Sequence, residues 1–209
     1  VSSISLSESA GMGIRVLVKG SWGFASTPHL SPTRLKQAAA QAIDLAKACA
    51  ALNKSPRPLA PVTPVKARHI SQCAIDPFQV PLAKKLDYLL WANTTLLGPD
   101  AIQRATSHMD FFKRRKLFWS TEGAQIEQLL IESGAGLEVV ARHGNEVQTR
   151  SFPNSHRGAL AQAGFEYVKE LDLVGGATTV RNEALQLLRA EPPRAGETTI
   201  VLDPTQVVM

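Results

Sequence analysis

Between Gly11 and Thr27 the chain alternates apolar with polar or small side chains on both sides of Gly20-Ser21. Strict alternation is the pattern of a strand with two unlike faces, and a two-residue turn pair between two such runs predicts a β-hairpin. A glycine at the first loop position suits a type II′ turn, because it takes positive φ without a Cβ clash. That turn predicts Lys19 opposite Trp22, Leu17 opposite Phe24 and Val16 opposite Ala25. One face then carries Leu17, Trp22 and Phe24. The other sets Ile14, Val16 and Val18 against Gly23 and Ala25, leaving a shallow trough for a closely packed helix.

A helix follows, with Ser31 as N-cap and Pro32 at the first helical position. Leu35, Ala38, Ala39, Ala42, Ile43, Leu45, Ala46, Cys49 and Leu52 recur at helical spacing and form a broad, mostly alanine stripe. Residues 53–64 carry Pro56, Pro58, Pro61 and Pro64, so they read as an extended connector. Pro81 starts a second helix whose buried side is expected to hold Leu82, Leu86, Leu89, Leu90 and Leu97, with Gly98-Pro99 as its stop.

Ala101 to Phe112 suits a helix by composition and a strand by alternation. The neighbours favour strand. Leu117-Phe118-Trp119 precedes the turn-like Ser120-Thr121-Glu122-Gly123, Gln125 to Ser133 is β-like, and Gly134-Ala135-Gly136 is expected to break it. Leu137 to His143 and Glu146 to Phe152 flank the hairpin signal Gly144-Asn145. Pro153 to Gly164 reads as a loop and Ala177 to Ala190 as a helix, with Val180, Ala184, Leu187 and Leu188 on one side and Pro192-Pro193 as the stop. Thr198 to Leu202 reads as a short strand, and Asp203-Pro204 as a turn. Strands grouped between helices predict an α+β fold: a largely antiparallel sheet, hairpin plus meander, with three main helices mostly on one face. One domain over 1–209 is expected, with the proline-rich connector inside it. Val1 to Ser7 already alternates like a strand and Met209 follows an apolar stretch, so both ends read as cut points.

Composition adds bounds. With 44% hydrophobic and 20% charged residues, a core forms without staples. Cys49 and Cys73 are far apart and lack CxxC spacing, which points to a reducing cytoplasm. No apolar run approaches the roughly 20 residues of a membrane span. The net charge of +5 includes one basic cluster, Lys113 to Lys116, flanked by Phe111, Phe112, Phe118 and Trp119. Basic residues among aromatics can hold single-stranded nucleic acid. A solvated hairpin tip with its aromatics turned into the core is the simpler reading.

Candidate chemistry is sparse. His29, His69, His108, His143 and His156 include no i, i+4 pair and no HExxH. Cys49 sits on the apolar stripe and is expected to be an inert core thiol. Cys73 has no neighbouring cue for activation. Gly-x-Ser-x-Gly, the phosphate-binding GxxxxGK[ST] and GxGxxG spacing are all missing. Gly175-Gly176 could offer backbone N–H groups to an anion or simply loosen the entry to a helix.

The motifs together resemble the TldD/PmbA family of metallopeptidases, once called modulators of DNA gyrase. GMGIRVLVKGSWGFAST supplies Gly11, Gly13, Arg15, Gly20, Trp22, Gly23 and Phe24. Asp76-Pro77-Phe78 with Val80-Pro81-Leu82 is similar to the lead into the family's second helix. Ser120, Glu122, Gly123 and Gln128 match an S-x-E-G-x-x-I-x-Q hairpin. Arg150-Ser151-Phe152, Gly164-Phe165-Glu166, Ala184 to Ala190 and Thr198 to Pro204 resemble later segments. These positions are implied to serve structure or a dimer interface.

The resemblance implies an HExxxH zinc site with a more distant cysteine, where the metal polarises a peptide carbonyl and lowers the pKa of bound water. That motif is expected beyond Met209, and no catalytic, cofactor-binding or metal residue of the family maps onto this chain. PmbA-like members lack the motif even at full length. The implied role is an N-terminal scaffold and substrate-access portion, itself inactive, paired as a homodimer or heterodimer with a TldD/PmbA-like subunit and handling peptides. A nucleic-acid-binding or gyrase-modulating module and a non-catalytic interaction domain are the alternatives.

Overall fold

A computed structural model describes residues 1–56, 59–192, 194–202 and 204–207. Pro58, Pro193, Asp203 and Met209 of the expectations above lie outside the described residues. The chain divides into two compact units, Val1–Thr63 and Pro64–Met209.

The first unit is a hairpin and a helix. β1 (Met12–Val18) pairs antiparallel with β2 (Ser21–Thr27), and α1 (Pro32–Leu52) packs on one face. The turn is Lys19-Gly20, not Gly20-Ser21. Both residues have positive φ, 47° and 75°, which is the type I′ geometry that matches strand twist. Val18 therefore faces Ser21, Leu17 faces Trp22, Val16 faces Gly23 and Ile14 faces Ala25. The expected pairs differ from these by two positions, so the two faces keep their residues.

The trough is real. Ala25, Ala38 and Ala42 form the core of this unit with Ile14 and Val16 against them. A Cβ on Gly23 would overlap the Ala42 carbonyl oxygen and stand 2.5 Å from the Ala46 nitrogen. Only glycine lets the strand come this close to the helix. Asn53, the C-cap of α1, donates from Nδ2 to Ser21 Oγ at 2.8 Å and to the Gly20 carbonyl at 3.3 Å, tying the helix end to the hairpin turn. Ile43, Leu45, Cys49 and Leu52 are exposed, so the buried stripe is narrower than the pattern suggests and Cys49 is not a core thiol. Residues 1–7 form no strand and are exposed throughout.

The second unit is built around one long strand. β3 (Lys66–Ile70), α2 (Leu82–Leu96), β4 (Ile102–Trp119), β5 (Gln125–His143), β6 (Glu146–Phe152), β7 (Ala159–Ala161), α3 (Phe165–Glu170), α4 (Leu173–Leu187) and a turn of helix, α5 (Pro204–Val207), follow in order. β4 pairs antiparallel with β5 over nearly its whole length. Along the other edge of β5, three short strands sit end to end. β3 runs parallel beside Gln125–Leu129, β7 antiparallel beside Ser133–Ala135, and β6 antiparallel beside Leu137–His143. The sheet is therefore mixed, and the fold is α+β.

Alternate residues of β5 build the core. Ala135, Leu137, Val139 and Ala141 pack with Ala92 and Leu96 of α2, Phe165 and Val168 of α3, and Leu173, Ala177, Val180 and Ala184 of α4. Helices α2, α3 and α4 cover one face of this sheet, whereas α1, the first of the three expected main helices, packs on the separate two-stranded hairpin. Several details differ. Gly134-Ala135-Gly136 does not break β5, because antiparallel partners on both sides hold the backbone through it. Lys113–Lys116 lie within β4, opposite Leu130, Leu129 and their neighbours, not at a hairpin tip. Leu82, Leu90 and Leu97 are exposed. α4 begins at Leu173, with Gly175 and Gly176 inside it, and residues 198–202 form no strand.

Candidate functional site

The positions that carry the family motif fall in three places. Gly13, Arg15, Gly20, Trp22, Gly23 and Phe24 belong to the first hairpin. Gly23 faces α1, whereas Trp22 and Phe24 stay 47% and 54% exposed on the opposite face. There the Arg15 guanidinium lies 5.7 Å from the centre of the Trp22 ring, within cation–π range. Gly11 precedes β1, where a Cβ would stand 3.3 Å from the Thr27 carbonyl oxygen.

Ser120, Glu122 and Gly123 form the turn between β4 and β5. Ser120 donates its N–H to the Ala124 carbonyl, and Gly123 N–H donates back to the Ser120 carbonyl at 3.0 Å, with Gly123 at φ 103°. Glu122 is exposed, and Gln128 stands mid-sheet between His69 and Lys116. Arg150, on β6, donates from Nε to Glu183 of α4 at 2.8 Å. The structure thus brings together the residues within each motif and not the motifs with one another.

The basic cluster of β4 is largely neutralised within the chain. Lys113 pairs with Asp76 at 2.8 Å and sits over the Phe78 ring. Arg115 and Arg68 share Glu127 across three strands, and Arg114 reaches Glu132 at 4.0 Å. The Lys113 contact holds the Asp76 carboxyl below its ordinary pKa, against a smaller opposing effect of burial.

No group of three His, Cys, Asp or Glu among the described residues could hold a metal ion. The described residues therefore do not by themselves fit a metal centre. Cys73 is half-buried, and its thiol is pushed up in pKa by burial and then by Glu166 and Asp76, the opposite of activation. Glu166 has a structural task. Burial would raise its carboxyl, but N–H groups of Ala74, Glu166 itself, Gly164 and Ile75 donate to it and hold it below the ordinary value. It locks the residue 74–75 turn to the start of α3.

The sheet face away from the helices carries a polar cavity of about 510 Å³. Glu138 of β5 lies at its floor, 5% exposed. Arg157 Nε meets one carboxylate oxygen at 2.6 Å, and Arg104 Nη2 meets the other at 3.2 Å. Arg150, Thr149, Ser151, Asn154 and Ser155 complete the walls, and Thr205 and Gln206 of α5 close the rim. Gly136 makes this possible, because any side chain there would collide with the Arg157 carbonyl oxygen that crosses above it. Arg157 itself is held at φ 71°, a left-handed conformation uncommon outside glycine and asparagine. Sequence reasoning did not single out Glu138, Arg104 or Arg157. The available signal was a lone carboxylate inside the apolar run Leu137–Ala141, which must find partners when the strand is buried.

Among known proteins, the family model for PmbA/TldA metallopeptidase domain 1 matches residues 1–46. A metalloprotease of Methanothermobacter thermautotrophicus is 27% identical over 197 residues, which cover 94% of this chain and 41% of that protein. A metalloprotease of Methanocaldococcus jannaschii is 24% identical, over 98% of this chain and 44% of the relative. The chain spans less than half the length of both. A candidate modulator of a DNA gyrase from Thermotoga maritima shares the fold with a TM-score of 0.66 at 14% identity, covering 89% of this chain and 39% of that one. TldE from Thermococcus kodakarensis aligns with a TM-score of 0.52 at 18% identity, over 84% and 36%.

Proposed function

We propose that this chain is the scaffold and substrate-access portion of a TldD/PmbA-like metallopeptidase and does not itself hold the metal. The observation that carries this reading is the alignment with two metalloproteases over nearly the whole of this chain and less than half of theirs. The described residues offer no set of metal ligands, so hydrolysis would depend on groups outside them. In the same reading a zinc ion belongs to the catalytic part of a full-length relative, the chain works in the cytoplasm, and its partner is a second TldD/PmbA-like subunit. No helix among the described residues is long and apolar enough to cross a membrane.

What this portion contributes is a rigid sheet with an accessible edge. Among the described residues β4 pairs only with β5, so its outer backbone groups are available to an extended peptide by strand addition. The nucleic-acid alternative is weaker, because three of the four clustered cations are held by carboxylates of the same chain. A peptidase assay on residues 1–209 with added zinc tests the proposal. No turnover is expected, and metal-dependent cleavage would overturn it. Salt-sensitive binding to DNA or RNA would favour the alternative.

A further inference from the structure

We infer that the β4 edge selects an acidic extended peptide, one with carboxylates at alternate residues facing Arg114 and Lys116 and apolar side chains facing Phe112 and Phe118. The inference rests on the strand addition proposed above for this edge, and it names the class of peptide that suits it.

Strand geometry divides the basic cluster in two. Alternate residues of a strand point to opposite faces, and residues directly opposite in an antiparallel pair share a face. Met109 and Phe111 of β4 pack against the helix-covered core, and Met109 stands opposite Ala135. Lys113 and Arg115 therefore lie on the helix face, and Phe112, Arg114, Lys116 and Phe118 on the open one. The first pair is held by its own carboxylates, Lys113 by Asp76 and Arg115 by Glu127. The second pair is not. Arg114 reaches Glu132 only at 4.0 Å, and its side chain is 57% exposed. Lys116 is exposed, stands opposite the neutral Gln128, and pairs with no carboxylate among the described residues.

The row on the open face reads aromatic, cation, cation, aromatic, with Phe112 and Phe118 both exposed at its ends. On its inner side it meets Glu132, Leu130, Gln128 and Ile126 of β5. On its outer side no strand lies against it among the described residues. A strand added there sets alternate side chains directly opposite this row. Opposite charges and apolar pairs stabilise such positions, and like charges weaken them. A peptide that is apolar, acidic, acidic and apolar at every second residue meets all four. Its remaining residues face Lys113 and Arg115, whose charges are already matched, so small polar side chains suffice there. Main-chain pairing supplies the affinity and this row the selectivity. Two open cations are a small footprint for a nucleic acid, which is held through many phosphates, but they match two carboxylates of one strand.

The test uses the chain of residues 1–209 and three peptides, each acetylated and amidated. TLTETETLT sets both glutamates opposite the cation row, and TLTKTKTLT sets lysines there. TLETTTELT has the composition of the first with its glutamates turned to the other face. All three read the same in both directions, so strand polarity does not matter. Affinity is read by calorimetry at low salt and location by amide hydrogen exchange. The first peptide is expected to protect amides within residues 112–118 and to bind about fivefold tighter than either control. Added salt should narrow that margin. Arg114→Glu combined with Lys116→Glu should reverse the preference between glutamate and lysine peptides. If that variant loses its native circular dichroism, Lys116→Glu alone, which breaks no ion pair in the structure, is expected to narrow the preference severalfold. Equal binding of the three peptides with β4 protected would overturn the acidic preference and leave strand addition standing. Binding by none of them, protection elsewhere, or a β4 edge already protected by a second copy of the chain would overturn both. None of these readouts depends on peptide cleavage.

Discussion

The ring of Phe24 lies diagonally across Gly13: a Cβ on Gly13 would stand 3.0 Å from Phe24 Cε2, although the strand register sets Phe24 opposite Arg15. An aromatic ring covering a strand glycine replaces the packing the glycine lacks. This accounts for two motif residues by a single contact on the open face of the hairpin, and it separates two glycines that look alike in sequence. Gly13→Ala meets only the far edge of a ring that can swing outward, so the expected cost is under about 1 kcal/mol. Gly23→Ala meets the backbone of α1, which cannot move aside, and about 1–3 kcal/mol is expected. Urea unfolding of the two variants checks the order.

Gly136→Ala should dislodge the loop above it. The new methyl group would occupy the place of the Arg157 carbonyl. Arg157 would then lose its hold on Glu138, and the loop would open to protease. Trypsin is expected to cut after Arg157 faster in the variant than in the parent chain. Unchanged cleavage at that bond would show that the loop is not seated on Gly136.

Acid should weaken the second unit through Glu166. Its carboxyl is held below the ordinary value of 4.5, so the stabilisation is complete above that pH and is lost as pH falls through the lower folded value. Asp76, held down by Lys113, acts in the same direction from its own ordinary value of 3.8. Stability is expected to be flat near pH 6 and to decline below about pH 4.5. Glu166→Gln should flatten that decline while lowering stability at neutral pH. Thermal melts across pH 3–7 measure both.

The two cysteines should differ in reactivity. Cys49 is exposed on α1, whereas Cys73 is half-buried beside Glu166 and Asp76, which disfavour its thiolate. A thiol reagent at pH 8 is expected to modify Cys49 rapidly and Cys73 slowly. Cys49→Ser should remove the fast phase and leave the slow one.

Local patterns were legible where one face is buried and the other wet. The first hairpin, α1, α2 and β6 follow their alternation or helical spacing because a single contact surface reads each of them. The hairpin turn was misplaced by one residue because Lys19 adopts positive φ, which its side chain does not advertise. β3 went unread because all five of its residues are exposed and its strand character comes only from pairing with β5. α3 is too short for a helical period to show. The Gly134–Gly136 break was expected from backbone propensity, and cross-strand pairing overrode it. The cavity was least legible. Glu138, Arg104 and Arg157 are separated by up to 53 positions and meet only through the sheet and the returning loop.

The layout of β5 also sets an order of assembly. Its outer edge beside β4 can close as a simple hairpin about the Ser120–Ala124 turn. Its inner edge needs three separate arrivals, and β7, beside Ser133–Ala135, comes last in the chain. As the polypeptide emerges from a ribosome, the stretch of β5 that ends deepest in the finished sheet is the one whose hydrogen bonds wait longest. Until Ala161 is made, that bare edge is open to pairing with another nascent chain. A stall or deletion within residues 153–158 would therefore show itself as aggregation during synthesis, before any loss of stability in the finished protein could be measured.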